Sequence, residues 1–99
     1  MSYQITFARP TKEHLQALSV RDQRIVIKAI AEQLAFQPTV ETNNRKLMRP
    51  NELASWELRL GNLRIYYDVE EEPEPMVQIL AIGIKERNQV KIANKVIEI

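Results

Sequence analysis

Apolar and polar residues alternate with period two through residues 3 to 8, Tyr-Gln-Ile-Thr-Phe-Ala, which predicts a strand with Tyr3, Ile5 and Phe7 on one face. Pro10-Thr11 ends it, and Thr11 is placed to cap a short helix from Lys12 to about Leu18. Ser19, followed three residues on by Asp22, has the form of a capping box opening a second helix. There Ile27, Ile30, Ala31, Leu34 and Ala35 recur at helical spacing as one apolar stripe, and Pro38 marks its end. The short joint between the two implies an antiparallel helical hairpin.

From residue 39 to about 54 periodicity is lost around Pro50, and the stretch reads as a loop. Then the period returns to two. Trp56, Leu58 and Leu60 alternate with Glu57 and Arg59; Gly61-Asn62 is a two-residue turn; Leu63, Ile65, Tyr67 and Val69 alternate with Arg64, Tyr66 and Asp68. Met76 to Ile84 is apolar on both faces, as in a central strand. Residues 85 to 99 are ambiguous: Val90, Ile92, Val96, Ile97 and Ile99 favour strand, while Val90, Ala93 and Ile97 also fit a helical stripe. The order predicts an α+β fold, with an N-terminal strand, a helical hairpin and then an antiparallel three-stranded meander, the helices packed on one face of the sheet.

The chain has 99 residues, 44 % of them hydrophobic, without a repeat or linker, and reads as a single domain over residues 1–99. At this size roughly 60–70 % of the unfolded surface can be buried, so no disulfide or metal is needed as a clip. With no cysteine and one histidine, His14, the composition excludes zinc fingers, iron–sulfur centres, thiol nucleophiles and multi-histidine metal sites, and no cofactor is expected. His14 itself reads as structural. No segment approaches the roughly 18–20 apolar residues that span a bilayer, and no charged-then-apolar leader opens the chain, so a cytoplasmic protein without a membrane partner is expected.

Fourteen Lys and Arg against thirteen Asp and Glu give +1. That near-neutrality conceals segregation. Asp68, Glu70, Glu71, Glu72 and Glu74 form an acidic turn, leaving 14 bases against 8 acids, or +6, elsewhere. The bases cluster at Arg45, Lys46, Arg49, Arg59 and Arg64, and again at Lys85, Arg87, Lys91 and Lys95. A two-residue Gly61-Asn62 turn pairs Leu60 with Leu63, so Arg59 must face Arg64, Glu57 must face Tyr66, and Trp56 must meet Tyr67 on the core side. Two like charges directly opposite are destabilising by up to about 1 kcal/mol. Both guanidiniums on a solvated face, with Glu57 diagonal to Arg64, is one reading. An oxyanion or phosphate held between two arginine forks is the other, and Lys85, at the end of the neighbouring strand, can bring a third cation to that face.

The run WELRLGNLRIYYD, preceded by RKLMR and followed after the acidic turn by VQILAIGIKERNQV, resembles the RelE/ParE superfamily of bacterial type II toxins over nearly the whole chain. The resemblance implies a small cytoplasmic toxin neutralised by a cognate antitoxin. In one branch it acts as a ribosome-dependent mRNA endonuclease; in the other it poisons DNA gyrase. In the nuclease branch Arg64 matches the arginine after the hairpin turn, Arg59 a basic position before it, and Lys85 stands where those nucleases have arginine. Two positions depart: Glu57 occupies the place of a lysine and Lys91 that of a C-terminal tyrosine.

The chemistry so implied is metal-free attack by the 2′-hydroxyl of RNA. Arg59 and Arg64 would hold the phosphate, Lys85, Lys91 or Glu57 would move protons, and Tyr66 would stack on a base or donate a proton. Arg45, Lys46, Arg49 and Arg87 are candidates to track the RNA backbone. Glu57 and Lys91 both loosen the nuclease pattern and keep two alternatives open: a non-enzymatic gyrase-binding toxin, and a non-toxic relative whose basic face only binds antitoxin.

Overall fold

The computed structural model describes residues 2–97. Its elements are β1 (Gln4–Phe7), α1 (Thr11–Gln16), α2 (Val20–Ala29) running into a π-helical turn (Ile30–Leu34), β2 (Arg45–Leu47), β3 (Trp56–Leu60), β4 (Leu63–Glu70), β5 (Met76–Glu86), β6 (Gln89–Ile92) and β7 (Lys95–Ile97). The fold is α+β, but the expected three-stranded meander is the centre of a seven-stranded sheet with the order β2-β3-β4-β5-β6-β7. β1 pairs in parallel with β5; the other pairings are antiparallel. No helix among the described residues is long and apolar enough to cross a membrane.

Ser19 caps α2 as its sequence suggested, its hydroxyl accepting from the Asp22 amide at 3.1 Å. Thr11 does not cap α1. Pro10 holds that position, and the buried Thr11 donates its hydroxyl to the Ala8 carbonyl at 2.6 Å. The buried stripe of the second helix keeps Ile30 and Leu34 of the expected one but takes Val26 and Ala29 in place of Ile27 and Ala31. Val26, Ala29, Ile30 and Leu34 face the sheet, while Ile27 is 45 % exposed and Ala31 is exposed. A π turn advances less per residue than an α turn, which brings Leu34 back into line with Val26 and Ile30. Tyr3, just before β1, and Ile5 within it pack against the core, but Phe7 at the strand end is exposed.

The helices cover one face of the sheet and bury Leu18, Val26, Ile30 and Leu34 against Leu58, Ile65, Tyr67, Val77, Ile79 and Ile82. Trp56 belongs to this side, stacked on Tyr67 at 6.2 Å between ring centroids, and the Tyr67 hydroxyl donates to the Pro38 carbonyl at 2.6 Å. β5 keeps its large residues on this face by a bulge. Tyr66 pairs with Ala81 and Tyr67 with Ile79, so Leu80 is the extra residue.

β4 lines one edge of β5 from Met76 to Ile84, whereas the other edge is shared by β1 at Met76 to Ile79 and β6 at Ile84 to Glu86. α1 packs on β5, and there His14 Nδ1 accepts from the Ile82 amide at 3.3 Å in the gap between β1 and β6. His14 is thus structural, as expected of it.

Residues 39 to 54, read as a loop, contain β2, which exists because Arg45, Lys46 and Leu47 find partners along Trp56 to Leu58. The ambiguous tail resolves into two strands joined by tight turns, with positive φ at Arg87 and Asn88 and again at Ala93 and Asn94; residues 98 and 99 lie outside the described residues. β6 and β7 fold toward the face opposite the helices, where Ile92, Val90 and Ile97 join Ala54, Tyr66 and Ala81 in a second, smaller core. Gly83 permits this approach, because a Cβ there would lie 2.5 Å from the Lys91 carbonyl oxygen.

Candidate nucleic-acid interface

The face opposite the helices is organised in rows across the strands. Lys46, Glu57, Tyr66 and Ala81 form one row, and Arg59, Arg64 and Gly83 the next. The hairpin register is the one its two-residue turn dictates, Leu60 opposite Leu63 and Arg59 opposite Arg64. Lys85, two residues beyond Gly83, opens onto the same face. Together these side chains line a cleft of about 780 Å³, walled on one side by residues 46 to 51 and on the other by Val90, Val96 and Ile97. Among the charged residues lining it, Lys46, Arg49, Arg59, Arg64 and Lys85 oppose a single acid, Glu57.

Glu57 compensates its own strand neighbour rather than the diagonal Arg64: its Oε1 accepts from Arg59 Nε at 2.6 Å. Arg64 Nη1 donates to the Gly61 and Leu63 carbonyls at 2.7 and 2.8 Å, which anchors the guanidinium at the turn. Among the described residues no carboxylate lies within ion-pair distance of Arg64, Lys85, Lys46 or Arg49. Two facing arginines, only one of them paired with a carboxylate, therefore retain unused N–H donors at a concave site. That is the donor set an oxyanion or phosphate needs. The acidic turn is far away, because β4 carries Arg64 at its start and Glu70 at its end, about 20 Å along the strand.

Three expected site residues, Lys91, Arg45 and Arg87, lie outside the cleft, and a fourth, Tyr66, is buried in its floor. Tyr66 is fully buried in the second core, so its ring cannot stack on a base. Burial, with the Glu57 charge beside it, holds its phenol well above the ordinary tyrosine range and makes it a poor proton donor; Arg64 and Arg59 offset this in part. The hydroxyl has no hydrogen-bond partner, so Glu57 acts on it through charge rather than through a bond of good geometry. Lys91 is paired with Ile84, on the helix side of the sheet, where it meets Glu86 at 3.7 Å and lines a small depression with His14. Arg45 also points to the helix side and is buried, donating from Nε to the Val40 carbonyl at 2.9 Å and from Nη1 to the Gln33 carbonyl at 3.1 Å. Arg87 is exposed in the β5–β6 turn and does not line the cleft.

Some lining residues were not foreseen. Asn51 Oδ1 accepts from the Leu53 and Ala54 amides at 2.7 and 3.0 Å, and its Nδ2 donates to the Arg49 carbonyl at 2.7 Å, so it shapes the loop that carries Arg49. The Pro50-Asn51 pair was a signal for such a turn. Asn88 and Gln89 reach the cleft only because of the β5–β6 turn.

Comparison of the sequence with protein-family models and with curated proteins finds no match. Among solved structures, the fold is similar to a chain of the RelBE2 toxin–antitoxin complex from Mycobacterium tuberculosis, with a TM-score of 0.74 over 86 % of this chain and 100 % of that one, at 21 % identity. The two chains therefore share a fold.

Proposed function

We propose that this protein is the toxin of a type II toxin–antitoxin system, acts in the cytoplasm as a ribosome-dependent mRNA endonuclease, and is held inactive by a cognate antitoxin. The observation that carries the reading is the facing pair Arg59 and Arg64 with Lys85 in one open cleft. The similarity of the fold to a chain from a toxin–antitoxin complex supports the antitoxin partner.

Cleavage without a metal requires a 2′-hydroxyl to lose its proton and attack the adjacent phosphorus while the bond to the 5′-oxygen breaks and that oxygen gains a proton. Arg59 and Arg64 bind the phosphate and offset the charge that grows on its oxygens, the contribution that dominates such reactions. Glu57 is the carboxylate available as base, and the Lys85 ammonium supplies the proton to the leaving oxygen. Lys46 and Arg49, on the cleft wall, contact the flanking backbone. Lys91 takes no part, because it faces the other side of the sheet, and Tyr66, being buried, makes no contact with the RNA.

With Lys91 outside the cleft and the Tyr66 hydroxyl buried in its floor, fewer proton-transfer groups remain, which favours the gyrase-binding alternative as the second reading. Inducing the protein in cells without antitoxin separates the two. The nuclease reading predicts arrested translation with cleaved transcripts. Intact transcripts together with inhibited supercoiling and DNA breaks would replace it with the gyrase reading.

A further inference from the structure

Glu57 is an acid in a site otherwise lined by bases, and its side chain is only 12 % exposed. Lys46 and Tyr66 are its cross-strand neighbours on either side. The Tyr66 hydroxyl is the one buried side-chain polar atom among the described residues that has no hydrogen-bond partner. A buried hydroxyl left unpaired is destabilising relative to phenylalanine, so its presence points to a second state in which it is bonded. Water does not reach it, so a ligand in the cleft does not reach it directly. Glu57 does: its charge already acts on the phenol, although the carboxylate is turned to Arg59.

A phosphate entering the cleft competes for the Arg59 guanidinium that Glu57 holds. Once displaced, the carboxylate would stand against the phosphate as a like charge unless it found a donor away from it. We propose that Tyr66 is a positioning residue whose hydroxyl takes over the Glu57 carboxylate when a phosphate group occupies Arg59. Glu57 then has two positions, on Arg59 in the empty cleft and on Tyr66 in the occupied one. The swap frees the arginine fork and pairs the orphaned hydroxyl with one Glu57 oxygen, leaving the other oxygen toward the cleft to serve as the base. This inference rests on the cleft being a phosphate site.

The test is a double-mutant cycle on the full chain, reading binding of a short 2′-O-methyl RNA, which cannot be cleaved by 2′-hydroxyl attack, by fluorescence anisotropy at low salt. Tyr66→Phe is expected to keep or raise thermal stability and to weaken binding roughly 10–100-fold, the effect of one hydrogen bond to a charged group. In a Glu57→Ala background the same change is expected to alter affinity by less than about twofold, since no carboxylate remains to be held. Unchanged affinity of Tyr66→Phe overturns the proposal, as does an equal loss in both backgrounds. If the unsubstituted protein binds no better than Arg64→Ala, the phosphate site itself fails and the proposal falls with it, a pattern distinct from the first two.

Discussion

Adding one methyl group at Gly83 should disturb both the fold and the cleft. The new Cβ would sit 2.5 Å from the Lys91 carbonyl oxygen, 2.9 Å from Ile92 Cγ1 and 3.2 Å from the Lys91 carbonyl carbon. Ordinary contact lies at about 3.5–4.0 Å, so β6 would have to retreat by about 1 Å. The atom struck hardest is backbone, and β6 is laddered to β5 and β7, so no side-chain rotation relieves the clash. Overpacking of this kind costs about 1–3 kcal/mol. For a domain of this size each kcal/mol lowers Tm by about 4–8 °C, so Gly83→Ala should melt roughly 5–20 °C below the parent in a circular dichroism scan. Gly61→Asn is the control. Gly61 has φ +58° and open space around its missing Cβ, and asparagine tolerates that conformation, so its Tm should barely move. A Gly83→Ala melting point within about 2 °C of the parent would refute the close approach of β6, and with it the placement of Val90 and Ile92 over the cleft face.

The other outcomes follow from where individual side chains lie. Burial lowers the pKa of His14 below its usual 6.5, with Glu13 opposing, and Nδ1 must stay unprotonated to accept from Ile82. The unfolded chain therefore binds a proton that the folded one resists: the contribution is present above pH 6.5 and is lost as pH falls through the lower folded value. Urea unfolding from pH 7.5 to 5 should show this loss in the parent and not in His14→Ala; the same slope in both would remove His14 from the account. Arg45→Ala should destabilise by about 2 kcal/mol, by stranding two carbonyls, without changing RNA affinity per folded molecule. Arg49→Ala should do the reverse, weakening RNA binding and flattening its salt dependence with Tm unchanged. Lys91→Ala should leave cleavage and RNA binding intact, since it faces His14 and Glu86; a large loss would contradict its placement on the helix side.

The hairpin was legible in the sequence because one short turn sets the register of every residue on both strands, and a period-two pattern then assigns each to a face. Arg59, Arg64, Glu57 and Trp56 all follow from that alone. Lys85 follows from strand adjacency. What sequence could not supply were features decided by tertiary partners. β2 is three residues long and is a strand only against β3. Lys91 falls on the helix side because the β5–β6 turn closes at Arg87-Asn88, an arginine in positive φ that no turn rule would select. Tyr66 has the parity of an exposed residue, but β6 and β7 curl over it and make a second core where a solvated face was expected. The bulge at Leu80 left a trace, the three-residue step from Ile79 to Ile82 within an otherwise period-two strand. In the second helix Ile27 and Ala31 are as apolar as Val26 and Ala29, and only packing against the sheet decides which pair is buried beside Ile30 and Leu34.

The central claim is that the facing arginines form a phosphate site that cuts ribosome-bound mRNA. It is tested most directly in a purified translation reaction, by mapping transcript ends after adding the protein or its Arg64→Ala variant. The account predicts discrete cleavage that needs the ribosome and slows by roughly 10²–10³-fold in Arg64→Ala, the usual effect of removing one group that stabilises a transition-state oxyanion. Transcripts that stay intact with the unsubstituted protein, or that are cut equally well by the variant, would contradict it.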